Sequence, residues 1–174
     1  MLFYVAIIIA TDYFNIMKIT LIQIGKTSQP YLIEGINDYQ KRLKHYCNFE
    51  LITINSPKSV LSSGNFEAIK KAESSLIIAT LNTSDFVVLL DDKGIEYDSV
   101  AFSQYINNHQ IKSTKNLVFI IGGAYGFSEE LYGKSHLKLS LSRLTFSHQM
   151  VRLFFIEQLY RAFTIIKGES YHHL

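Results

Sequence analysis

Absences narrow the field first. The chain of 174 residues has one cysteine, Cys47, so no disulfide can form within it, and a reducing compartment, the cytoplasm, is expected. No His or Asp pattern surrounds Cys47, which reads as a bystander rather than a nucleophile. Tryptophan is missing, leaving Phe and Tyr to supply the aromatic bulk. No apolar run is long enough to span a bilayer: Leu2 to Ala10 is too short, and it lacks the basic start and small-residue cleavage site of a secretory signal. No membrane partner is expected. The Rossmann pattern G-x-G-x-x-G, the Walker pattern with its Lys, and Ser or Cys nucleophile motifs are also missing. These absences speak against a small-molecule enzyme built on a nucleotide cofactor. His172 and His173 are adjacent, but no further ligands stand at zinc-like spacing, so no metal is expected. There is no internal repeat, low-complexity segment or linker.

What is present is a globular composition, 48% hydrophobic and 18% charged. The net charge of +2 and pI of about 8.5 permit an anionic partner without demanding one. The length suits a single domain that buries a real core. A second methionine, Met17, opens a clean strand pattern. Translation is expected to begin there, with residues 1–16 an artefactual or disordered extension and 17–174 the domain.

From Met17 the pattern alternates strand and helix. Lys18 to Ile24 reads as a strand, and Tyr31 to Tyr46 has apolar positions at helical spacing (Tyr31, Leu32, Ile36, Tyr39, Leu43, Tyr46). Phe49 to Ile54 is a second strand. A polar stretch follows, then a helix over Asn65 to Leu81 with Lys70, Lys71 and Glu73 on its wet face. Phe86 to Leu90 and Leu117 to Ile121 are continuous apolar runs, as in strands of a parallel sheet covered on both faces. The first ends in a turn, Asp91 to Gly94, with a helix over Ser99 to Asn108 beyond it. Ser128 is placed to cap a short helix with Glu129 and Glu130 in its first turn. Leu137 to Leu141 is a last strand, and a long helix runs from His148 to Lys167. This order predicts an α/β sheet with helices on both faces.

Ligands of open α/β sheets sit beyond the carboxyl ends of the strands. Three segments end strands there: Leu90 to Gly94, Gly122 to Phe127, and Leu141 to His148. The glycines Gly122, Gly123 and Gly126 mark a tight turn or a close approach of backbone to a ligand. The final helix is apolar around nearly its whole circumference, which predicts packing against the sheet and against a second subunit. Glu157 and Arg161 are spaced to pair at i,i+4. Arg152 is open to two readings, an ion-pair partner or a cation aimed at RNA phosphate. His148 and His172 are the candidate acid/base groups, since imidazole titrates near neutrality.

Taken together, M-K-I-T-L-I-Q-I-G-K-T from Met17, L-L-D-D-K-G, I-I-G-G-A-Y-G-F-S, L-S-L-S-R-L-T-F-S-H-Q-M-V-R-L-F-F-I-E-Q-L-Y-R-A-F and the tail Y-H-H resemble the ribosomal RNA large subunit methyltransferase H family, from Met17 to the C-terminus. The resemblance implies a SPOUT-type α/β fold whose C-terminal segment threads a loop as a trefoil knot, a rare exception to ordinary topology, and a homodimer with the knot at its interface. It implies S-adenosyl-L-methionine held by Leu90, Gly122, Leu141, Ser142, Arg143, Leu144, Thr145 and Phe146, mainly through backbone and apolar contacts. The implied reaction, a step in rRNA processing, is methylation of N3 of a pseudouridine in 23S ribosomal RNA of the assembled ribosome. His148, Arg152, Tyr171 and His172 are the candidates for the base or for substrate positioning, with the tail expected beside the bound methyl. The alternatives are a knotted methyltransferase acting on tRNA and a non-enzymatic ribosome-associated RNA-binding protein.

Overall fold

Five strands carry the apolar runs into one sheet. In the computed structural model, which describes residues 17–62 and 64–172, they are β1 (Lys18–Ile24), β2 (Asn48–Ile54), β3 (Asp85–Glu96), β4 (Asn116–Ile121) and β5 (Leu137–Ser140). The expectation for residues 1–16 lies outside the described residues. The sheet order is β2-β1-β4-β3-β5, and every pairing is parallel. The expected α/β class is therefore the observed one. β1 and β4 lie centrally and are buried almost throughout, whereas edge strand β2 alternates between exposed and half-buried positions. A strand covered on both faces buries successive side chains on either side of the sheet.

The helices divide between the faces. On one, α1 (Pro30–Leu43) and α4 (Ser99–Ile111) flank the long helix α6 (Met150–Ile166). Their contact with the sheet is a core that includes Ile19, Leu21, Phe119, Phe155, Ile156, Leu159 and Phe163. On the other face, Ile77 of α3 (Phe66–Thr80) and Leu131 of α5 (Glu129–Lys134) pack with Ile22, Val87, Leu89, Val118 and Ile120. A short helix, α2 (Lys58–Leu61), occupies the stretch read as merely polar.

Local signals explain most boundaries. Pro30 opens α1, where its missing N–H costs nothing. Asn65, Asp98 and Ser128 cap α3, α4 and α5 by accepting from the N–H groups of Ala68, Ala101 and Leu131. Three expectations need correction. Tyr31 is exposed and α1 ends at Leu43, so neither Tyr31 nor Tyr46 belongs to its buried stripe. Glu73 is not on a wet face but 95% buried, since its turn of α3 faces the sheet and its carboxylate accepts from Ser56 Oγ at 2.5 Å. Asp91 to Gly94 does not end β3 but interrupts it: Leu90 and Ile95 both stand opposite Leu139, and the four residues between them bulge out. Gly94 makes the bulge possible, because a Cβ there would lie 2.6 Å from the backbone of Leu139.

Helix α6 is covered within the chain more completely than its composition suggests. Apart from Phe154, 39% exposed, each of its residues is buried or half-buried. The Glu157–Arg161 pair forms, at 2.6 Å.

Candidate active site

Because all five strands run parallel, their carboxyl ends open on one side, and the three anticipated segments converge there. They enclose a cavity of about 480 Å³, within the range of small-molecule sites. One wall is Leu90 and the bulge Asp91 to Lys93, a second is Ile121, Gly122, Gly123, Ala124, Gly126 and Phe127, and a third runs from Leu139 to Val151. Of the residues expected to hold a cofactor, Leu90, Gly122, Leu141, Ser142, Leu144, Thr145 and Phe146 line this cavity, and His148 stands among them. Arg143 does not. Its side chain is 91% exposed and lies 3.7 Å from Glu96.

The third wall is ordered by its own serines. Ser140 Oγ donates to the carbonyl of Ser142, Ser142 Oγ accepts from the N–H of Leu144, and Ser147 Oγ accepts from the N–H of Met150. The last of these contacts holds the chain just ahead of α6, whose first residue is Met150. The loop after β1 docks on the same helix end. Gln149 Oε1 accepts from the N–H of Ser28 at 2.8 Å, while Arg152 donates to the carbonyl of Ile24 at 2.6 Å and to Thr27 Oγ1 at 2.8 Å.

Arg152 therefore meets neither expectation set for it. No carboxylate pairs with it among the described residues, and it is fully buried in the chain, where burial pushes its pKa below the ordinary value. Tyr171 also lies away from the cavity. Its hydroxyl contacts Glu157 at 3.0 Å and Tyr39 at 3.1 Å, its ring packs on Tyr160, and Arg161 sits over it. Burial, and then these hydrogen bonds, raise its pKa far above the ordinary phenol value. His172 follows Tyr171 and is not among the cavity residues. Cys47 is buried, and burial pushes its thiol up to about 12.

Two polar features of the site were not singled out from the sequence. Asp91 Oδ2 accepts from Tyr132 Oη at 2.5 Å and its Oδ1 from the N–H of Lys93 at 2.8 Å. Burial alone would raise the Asp91 pKa, but these bonds and the charge of Lys138 outweigh it and hold the carboxyl below its ordinary value. Tyr132 responds in the opposite sense, its hydroxyl pushed up by burial and by the adjacent carboxylate. Asp91 lay in a segment marked as a strand end; Tyr132, on α5, gave no signal. The second feature is Glu73, whose carboxylate stands directly behind Gly123.

Such a cavity can take a flat, uncharged ring against its apolar lining and glycine backbone, with cationic or hydroxylated groups toward Asp91. A ligand of nucleoside size suits a cavity of this volume. Among the described residues, no group of His, Cys, Asp or Glu could hold a metal, and no helix is long and apolar enough to cross a membrane.

Comparison with known proteins agrees with the geometry. A family model described as a predicted SPOUT methyltransferase matches residues 17–172. A protein of Cytophaga hutchinsonii named ribosomal RNA large subunit methyltransferase H is 52% identical over 157 residues, covering 90% of this chain and all of that protein. The protein of the same name from Parabacteroides distasonis is 49% identical, covering 90% of this chain and 99% of the relative. A solved structure of a probable methylase family protein from Haemophilus influenzae shares the fold, with a TM-score of 0.50 at 14% identity, over 92% of this chain and 72% of that one. Fold, site and relatives thus define a methyl-transfer enzyme built on a parallel α/β sheet. The chain belongs to the SPOUT methyltransferase family, so it is a methyltransferase that draws on a methyl donor.

Proposed function

We propose that this protein transfers a methyl group from S-adenosyl-L-methionine to N3 of a pseudouridine in 23S ribosomal RNA. In this reading it acts in the cytoplasm, on the assembled ribosome and as a homodimer, with residues 17–174 as one domain and its C-terminal segment threaded as a trefoil knot. The observation that carries the proposal is the convergence of three strand-end segments on one backbone-lined cavity, in a chain half identical to proteins named for ribosomal RNA methylation.

When bound, S-adenosylmethionine supplies an electrophilic methyl group. Leu90, Leu141, Leu144, Thr145 and Phe146 would enclose its apolar parts, while Gly122 and the backbone of Ser142 would meet its polar edges. His148 lines the cavity and is exposed there; in this reading it would take the N3 proton as the nitrogen attacks. The chain's main contribution is alignment of the two reactants. Arg152 positions from behind, tying the end of β1 to the helix that follows His148. Because Tyr171 and His172 lie away from this chain's own cavity, any part they play falls on the cavity of a second copy. Exposed Leu144, Phe146 and Phe154, the last two 4.9 Å apart, supply an apolar surface for that copy.

Methyl transfer by the purified protein should be compared on intact ribosomes, free rRNA fragments and tRNA, with mass mapping of ribosomal RNA from a deletion strain. The proposal expects transfer to ribosomes well above the other two, and one methyl missing in the strain. Preference for tRNA, or an unchanged rRNA map, would overturn it.

A further inference from the structure

The loop that lines the second wall of the cavity holds an aromatic ring out in solvent. The N–H of Gly126 donates to the carbonyl of Gly123 at 3.2 Å, and Gly126 has a φ of +74°, so Gly123 to Gly126 is a tight turn with Tyr125 at its tip. The Tyr125 ring stacks on Phe66, the first residue of α3, with centroids 4.5 Å apart and an interplanar angle of 26°. Each ring covers one face of the other and leaves the opposite face open: Tyr125 is 42% and Phe66 58% exposed. Neither belongs to the core on either side of the sheet. Both sit on firmly placed backbone, one on the hydrogen-bonded turn and the other just after the Asn65 cap. Because Ala124 and Gly126 line the cavity, the pair stands on its rim. One turn along α3, Lys70 and Lys71 add positive charge; Lys70 is tied to Glu67, while Lys71 is exposed with no acidic partner among the described residues.

We propose that the Tyr125–Phe66 pair is a stacking platform for an unpaired base of the RNA substrate, one that flanks the methylated nucleotide. The inference rests on the RNA methyltransferase reading above and extends it to how the RNA is docked. A base can enter the cavity only after leaving its own stack, and its neighbours then lose stacking too. An aromatic face restores that contact for any base, because every base has a π-face. The lysines of α3 suit the phosphates of the same strand.

The test uses the full-length protein with intact ribosomes as substrate. It measures KM and kcat for Tyr125→Ala, Phe66→Ala and Tyr125→Phe, cofactor affinity by calorimetry with S-adenosylmethionine, and oligomeric state by light scattering. Each alanine variant should raise KM for ribosomes about tenfold, the order expected for one lost base stack. Their kcat and cofactor affinity should stay within about twofold, and Tyr125→Phe should match the wild type. An unchanged KM in the alanine variants, a parallel loss of cofactor binding, or a change in oligomeric state would overturn the platform while leaving the methyltransferase reading intact. No transfer to ribosomes by the wild type would instead overturn that reading and the platform with it.

Discussion

The carboxylate of Glu73 occupies the space in which a side chain at residue 123 would begin. A Cβ on Gly123 would collide with Glu73 Oε2 and lie 3.1 Å from both Cδ and Oε1. The requirement for glycine here is steric, since Gly123 is not among the residues of positive φ. Glu73 is itself fixed by Ser56, while its Oε2 is buried without a partner among the described residues. Gly123→Ala should weaken S-adenosylmethionine binding about tenfold by displacing the glycine loop. In Glu73→Ala/Gly123→Ala the obstruction is gone, and affinity should return to within threefold of Glu73→Ala alone, a coupling that calorimetry on the four proteins would read. Strict additivity would show that the contact has no influence on the loop.

His148 is the candidate base at the cavity. His148→Ala is expected to lower kcat about a hundredfold, as for the loss of a positioned proton acceptor, with cofactor affinity changed less than threefold. Single-turnover rates at saturating ribosomes would check this. An equal rate would remove His148 from the mechanism.

Arg152 is a structural anchor in the single chain. Truncation to Ala leaves the Ile24 carbonyl without its donor and opens a cavity between β1 and α6. The expected loss is about 3 kcal/mol of unfolding free energy by urea titration. The salt dependence of ribosome binding should keep its slope. A slope reduced by about one would instead mark Arg152 as a phosphate contact.

The Asp91–Tyr132 bond carries a pH signature. Asp91 has its folded pKa below the ordinary 3.8, so the ionised form is the one the fold favours. Its contribution is complete above that ordinary value and is lost as pH falls through the folded one. Tyr132→Phe should lower Tm by about 3 °C near pH 7, and the deficit should shrink below pH 3.8. A deficit that grows on acidification would contradict the assignment.

Phe154 is the exposed residue of an otherwise covered helix. If the dimer forms over Phe154 and Phe146, Phe154→Glu should convert it to monomers by light scattering, with the far-ultraviolet circular dichroism retained. A variant that stays dimeric would place the interface elsewhere.

Much of the architecture was legible because parallel strands leave a plain mark. Phe86 to Leu90 and Leu117 to Ile121 are apolar at every position, and only burial on both faces explains that. The cap at Ser128 was local chemistry and was readable as such. The cavity walls were legible as strand ends, and the candidate cofactor residues came from resemblance to a family. What stayed hidden depended on contacts distant in sequence. Glu73 looked solvated because its neighbours Lys70 and Lys71 are charged, and nothing local reveals that the sheet turns its carboxylate toward residue 123. Tyr132 joins Asp91 across 41 residues.

The sequence by itself determined the order of the strands and of the longer helices, the parallel class and the edge of the sheet where the cavity lies, because periodicity and capping act over a few residues. The tertiary structure decided which groups meet at that edge: Arg152 turned inward, Tyr171 drawn onto α6, Asp91 paired with Tyr132 and Tyr125 lifted onto Phe66. Such pairings follow from the packing of elements far apart in the chain, and no local pattern encodes the angle at which one helix or loop meets another.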